Sequence, residues 1–254
     1  MLRTGDWDAY LASFHAARPG ITEQALHHAA HPDLGNPYAW LAAALPASLG
    51  TVLDVACGNA ALLPWLTGHH SYLGVDVSDH EVAAARREGR GPVMLADARR
   101  LPMDDSAVDT VVSSMGLMLV RPVEAAVAEI RRVLRPGGTL ALLVPAVWPV
   151  RLSDVALGLP LAVALRGPGS MPQQLSPRRL RRVLRTGGFR TQAIERRRFP
   201  FPVHSDEHAA LAVRALYTPG RSTRQLLRAE SILSRWARPA AELPVPLMRV
   251  VATA

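Results

Sequence analysis

One cysteine, no lysine and few aromatic rings set the first limits on this 254-residue chain. The single cysteine, Cys57, excludes an intramolecular disulfide and a cysteine-built zinc cage, which fits a reducing compartment. No His or Asn pattern accompanies it, so it reads as a small buried residue rather than a nucleophile. No apolar run approaches the ~20 residues of a membrane span. The N-terminal "MLRTGDWDAYLASFHAARPG" also lacks the unbroken apolar core of a signal peptide. A cytoplasmic protein with no membrane partner is expected. All 29 basic residues are Arg, a uniformity that reads as the codon bias of a GC-rich genome. It weakens any claim that individual guanidiniums were selected for bidentate anion binding.

A hydrophobic content of 49% allows a substantial core within one large domain. The net charge of +8 is unevenly placed. Residues 1–150 hold 11 Arg against 15 Asp and Glu, a net of −4, whereas residues 151–254 hold 18 Arg against 6, a net of +12. The basic run "RRLRRVLR" puts Leu180, Val183 and Leu184 on one helical face and Arg178, Arg182 and Arg185 on another, the pattern of a solvated amphipathic helix. Aromatics are 5% of the chain and do not interleave with this run, so nucleic acid is disfavoured as a partner. His27 and His31 stand at i, i+4 like metal ligands, but no third ligand accompanies them and no metal is expected.

Helical patterning in "WDAYLASFHAA" and "TEQALHHAA" opens the chain. Strand-like segments follow at 51–55, 72–77, 93–96, 108–113 and 139–144, separated by helical ones at 60–66, 79–88 and 123–134. Strands this short, apolar and regularly alternating with helices predict a parallel sheet covered on both faces. From Pro145 the rhythm breaks into a Pro-rich excursion to about residue 176, with one or two short helices, of the length usual for functional lids. A helix at 177–185, a strand at 189–199, helices at 206–217 and 222–237 and a last strand at 247–251 complete the reading.

Ligands of open α/β sheets bind at the carboxyl ends of the strands. The first strand, in "VLDVACGNAALLPWL", carries Asp54 and ends in a turn of small residues around Gly58. The second ends "GVDVS", placing Asp76 where a carboxylate can accept both hydroxyls of a ribose. The third ends "LADA", offering Asp97 to an exocyclic amine such as that of adenine. Two acids on neighbouring strand ends suit an adenosine.

"VLDVACGNA", "YLGVDVS", "LADARRLPMDDSAVDTVVSSM" and "EIRRVLRPGGTLALLVP" together resemble the class I S-adenosylmethionine-dependent methyltransferases, tightly over residues 50–145. The resemblance implies an α/β, Rossmann-like, seven-stranded, mostly parallel sheet with helices on both faces, its last strand antiparallel, plus a helical cap. It divides a single domain, 1–254, into an N-terminal helical lid (1–45), a cofactor-binding core (46–146), and cap insertions with the last two strands (147–254). S-adenosylmethionine is the implied cofactor. Carried over, Asp54 supports its methionine end, with backbone at Ala56 and Gly58 touching it. Asp76 holds the ribose, Val77 packs on the adenine, Asp97 and the Ala98 amide read the adenine edge, and the Ser113 carbonyl receives the amino group. Tyr10 belongs to the implied lid, whose rival reading is a fixed core helix. Where the family most often has Gly-x-Gly-x-Gly, this chain keeps only Gly58. Ala56 and Ala60 then require backbone angles open to L-residues.

The implied function is in-line methyl transfer to a small, fairly apolar molecule such as a secondary metabolite. A cyclase or scaffold that binds the cofactor without transfer, and an RNA methyltransferase, remain alternatives. No residue stands out as a general base; His15, His204 and His208 are candidates. The assembly is expected to be a monomer or homodimer.

Overall fold

The computed structural model describes residues 4–68, 70–167 and 170–254. Its strands are β1 (Gly50–Val55), β2 (His70–Asp76), β3 (Val93–Leu95), β4 (Val108–Ser114), β5 (Leu134–Pro145), β6 (Arg190–Pro202) and β7 (Glu242–Thr253). They form one sheet in the order β3-β2-β1-β4-β5-β7-β6. The first five are parallel, and β7 lies between β5 and β6, antiparallel to both. Period-two alternation sends successive residues to opposite faces. Val52, Val112 and Leu143 join a core with Trp40, Leu41 and Phe199. Leu53, Val111 and Leu142 join another with Val127, Ile130 and Leu184.

Helices α1 (Thr4–Ala17), α2 (Ile21–His28) and α3 (Pro37–Ala42) precede the sheet. Helices α4 (Asp79–Arg87) and α5 (Val123–Val133) make the crossovers. After β5 come α6 (Leu152–Ala164) and α7 (Pro177–Thr186), and between β6 and β7 come α8 (Asp206–Arg214) and α9 (Thr223–Trp236). Serine starts several of them: the side chains of Ser78, Ser176, Ser205 and Ser222 each accept a first-turn N–H. Because β6 runs parallel to β5, the α8–α9 insertion emerges at the same edge as the carboxyl ends of β1 to β5.

Four elements differ from the sequence reading. The helix expected at 60–66 is a run of turns ending in a single 3-10 turn at Leu63–Trp65, because Pro64 has no N–H with which to continue an α ladder. Helix α3 was not anticipated, although Asn36 caps it, accepting from the Ala39 N–H at 3.0 Å, and Pro37 opens it. Strands β6 and β7 run well past their expected ends, pairing from Arg190 with Thr253 to Pro202 with Glu242. Pro200, Pro202, Pro244 and Pro246 lie at period two there, so the missing donors fall on one edge of each strand and the ladder survives. The excursion after Pro145 contains one long helix, α6, rather than short pieces. It packs on α9 and β7.

Candidate active site

The carboxyl ends of β1, β2, β3 and β4 converge on a cavity of about 630 Å³. After β1 the chain reverses through Ala56, Gly58 and Ala60, all left-handed, with φ of 55°, 55° and 56°. The two alanines therefore do not adopt angles comfortable for L-residues, as the sequence reading required. Each sits where glycine is the default, at a cost of about 1–2 kcal/mol. Ala56 is also pressed against the β4 end, since a Cβ on Gly116 would lie 2.3 Å from the Ala56 Cβ. Cys57 beneath the turn is buried, which pushes its thiol pKa up and leaves it no nucleophile.

Three acids surround the turn in different states. Asp54 is 1% exposed. Its Oδ2 accepts from the Tyr72 hydroxyl at 3.1 Å, while Oδ1 has no hydrogen-bond partner among the described residues. Burial raises its pKa to about 7, with the Tyr72 bond opposing and the Asp76 charge adding to the rise. Asp76 is fixed by two backbone donors, Gly58 N–H at 2.8 Å and Ser78 N–H at 2.9 Å, one on each oxygen. Burial nevertheless shifts its pKa upward. Asp97, at the β3 end, is gripped by Arg99, whose Nη2 lies 2.6 Å from Oδ2; this pairing lowers its pKa.

One wall of the cavity is α1, which contributes Leu11, Ala12 and His15. His15 Nδ1 lies 2.8 Å from Glu81 Oε1, and the Gly20 N–H donates to Glu81 Oε2 at 3.0 Å. With a carboxylate as partner Nδ1 carries the proton, so Nε2 accepts from the Tyr217 hydroxyl 3.3 Å away. The Thr218 N–H donates to the Tyr10 hydroxyl at 2.7 Å. Helix α1 is thus tied both to α4 and to the loop between α8 and α9.

A family description, "methyltransferase domain", matches residues 53–142, the stretch from β1 to β5 that builds these strand ends. The chain carries a class I S-adenosylmethionine-dependent methyltransferase domain. The demethylmenaquinone methyltransferase of Mycolicibacterium gilvum is 36% identical over 91 residues, 36% of this chain and 40% of that protein. The chain therefore spans about two fifths of the length of the curated relatives it matches. An S-adenosylmethionine-dependent methyltransferase from Mesorhizobium loti shares the fold at a TM-score of 0.51 and 19% identity, with 85% of this chain and 98% of that one covered. The [4+2]-cyclase SpnF does so at 0.54 and 21%, with 85% and 75% covered.

Within the methyltransferase domain, Asp54, Ala56, Gly58, Asp76, Val77, Asp97 and Ala98 all line the one cavity. Val77, an apolar side chain 74% exposed, opens onto it. Ser113 does not line it: the residue is buried within β4, and the strand end that faces the cavity is Ser114, Met115 and Gly116. Tyr10 is also outside the lining; its hydroxyl is spent on Thr218. Of the three histidines only His15 reaches the cavity. His204 and His208 stack on each other 5.8 Å apart, and His208 on Phe201 and His28. The excursion after Pro145 contributes no lining residue. Sequence reasoning missed Glu81 and Tyr217. Glu81, three residues after Ser78, reads as an ordinary capping-box acid, and its link to His15 and Gly20 crosses more than sixty positions.

Proposed function

We propose that this chain binds S-adenosylmethionine with the adenosine between Asp76 and Asp97 and methylates a small, fairly apolar acceptor. The observation that carries the reading is the pairing of a pinned strand-end carboxylate with a buried acceptor that nothing satisfies. The two backbone N–H groups take one lone pair on each oxygen of Asp76, leaving the others for a ribose diol. Asp54 Oδ1 and Ser114 Oγ line the same cavity and lack partners, and a buried carboxylate oxygen without a donor suits a cationic amino group. Val77 supplies an apolar face for a base, and Asp97 keeps lone pairs beyond those engaged by Arg99. These residues fit the cofactor.

S-adenosylmethionine supplies a methyl activated on a sulfonium. The chain's own part is to align an acceptor, exclude water and, where the acceptor arrives protonated, take its proton. His15 is the group placed for that last task, with Glu81 holding the Nδ1 proton so that Nε2 is the basic nitrogen. Leu11, Leu62, Leu119 and Val120 in the cavity wall favour an apolar ring over a polar polymer. The quinone named for the M. gilvum relative is of that kind. The Arg run of α7 takes no part in the cavity, so nothing basic leads an RNA to the strand ends.

Incubation with methyl-labelled cofactor and a panel of quinols, phenols and tRNA tests the reading. Label should pass to a small aromatic acceptor in the native chain and not in Asp76→Ala. Label that binds without transfer to any acceptor would favour a scaffold or cyclase, and transfer to tRNA alone would overturn the acceptor class.

A further inference from the structure

Nine large hydrophobic residues are exposed, and six of them fall within residues 147–163: Val147, Trp148, Leu152, Val155, Leu159 and Val163. The last four recur on α6 at spacings of three and four, so at 100° per residue they occupy one narrow stripe of the helix. Leu152 is 94% exposed. The opposite side is already used: Asp154, Ala164 and Leu165 are buried, and Leu161 packs against the core. A helix apolar on both sides is the pattern of one that is covered twice, once by its own protein and once by something else.

The charges beside the stripe say what covers it. Arg151 stands exposed at the start of α6 and Arg166 just past its end. On α9, packed alongside, Arg224, Arg228 and Arg235 are exposed and pair with no carboxylate among the described residues, and Leu227 is exposed between them. The nearby acids are consumed. Asp154 is held by Arg198, Glu242 by Arg198 and Arg151, and Glu230 by Arg214. An apolar stripe with a Trp, bordered by unneutralised arginines, is complementary to an anionic bilayer. A second copy would bring the same arginines against each other.

We propose that α6 and the Val147-Trp148 approach to it dock in the interface of an anionic phospholipid bilayer. With 13 residues α6 is about 20 Å long, too short to cross the hydrocarbon and right for lying in the headgroup boundary. Docking there sets the strand-end edge of the sheet toward the membrane, because α6 follows β5 at that edge. The proposal is independent of methyl transfer, since nothing in it uses the cavity.

Flotation with vesicles of phosphatidylcholine and phosphatidylglycerol in equal parts tests it, against vesicles of phosphatidylcholine alone. The native chain should float with the anionic vesicles, lose about tenfold or more of its binding when salt is raised, and show a blue shift in emission that Trp148→Phe removes. Leu159→Asp with Val163→Asp should abolish flotation while keeping the native melting temperature, since both side chains are exposed. Absence of flotation at low salt overturns the proposal. So does a dimer in sedimentation that the same double substitution dissociates, which would assign the stripe to a second copy.

Discussion

Replacing Asp54 by Asn separates what this residue costs the fold from what it gives the site. The carboxyl is buried, one oxygen is unpaired, and its pKa stands at about 7 against an ordinary 3.8. At about 1.4 kcal/mol per pH unit, the difference amounts to an upper bound of about 4 kcal/mol for ionising Asp54 inside the free protein. The folded pKa is raised, so the folded chain holds this proton through a window in which the unfolded chain has released it. Stability contributed by the protonated form is therefore complete below about pH 4, falls as pH rises, and is gone above about pH 7. Asn keeps the shape and an acceptor for Tyr72 and cannot ionise. Its amide still leaves one polar group unpaired, so Asp54→Asn should stabilise the cofactor-free protein by about 1–3 kcal/mol at pH 8 and by little at pH 4. Urea denaturation at both pH values reads this directly. S-adenosylmethionine should bind the variant more weakly, and the rise in native affinity through pH 7, as the incoming cation draws the proton off Asp54, should be absent from it. A variant less stable than the native chain at pH 8, or one that binds the cofactor unchanged, would refute the reasoning.

Three further outcomes follow from the same geometry. Ala56→Gly should stabilise the chain by about 1 kcal/mol in thermal melts, because it relieves a left-handed alanine; a loss of stability would mean the turn is not strained. Arg198→Ala should destabilise by about 3–5 kcal/mol at neutral pH, since it strands buried Asp154. Arg198 holds the Asp154 pKa low, so that stabilisation exists above the ordinary carboxylate range and is lost as pH falls through it; the variant should approach the native chain in acid, as denaturation at pH 7 and pH 4 will show. Glu81→Gln removes the charge that holds His15 and Gly20, so hydrogen exchange across residues 5–20 should accelerate in the variant. In the native chain the same residues should gain protection when cofactor is added, and unchanged exchange would mark α1 as a fixed wall rather than a lid.

Much of the site was legible because the sheet makes it local. Asp54, Asp76 and Asp97 end successive apolar strands, and parallel strands in one sheet deliver their carboxyl ends to one edge whatever the details of packing. Helix boundaries announced by Ser78, Ser176 and Ser222 were readable for the same reason: a cap is a contact between near neighbours. What escaped depended on distance. The Glu81–His15–Tyr217 chain joins residues that only the folded helices bring together, and nothing in "SDHEV" distinguishes a capping acid from one that holds a histidine across the cavity. Strands β6 and β7 were underestimated because prolines argue against a strand until their period shows that every missing N–H lies on one edge. The exposed stripe of α6 reads in sequence as core, since composition records that a residue is apolar and not which side of the helix the protein covers.

The central claim, that adenosine sits between Asp76 and Asp97, is tested most directly by calorimetric titration of S-adenosylmethionine into the native chain and Asp76→Ala, with thermal melts confirming that both are folded. Loss of charge-assisted hydrogen bonds to the ribose should weaken binding by about 1.5–3 kcal/mol, roughly tenfold to a hundredfold. Equal affinity in the two proteins would contradict the assignment.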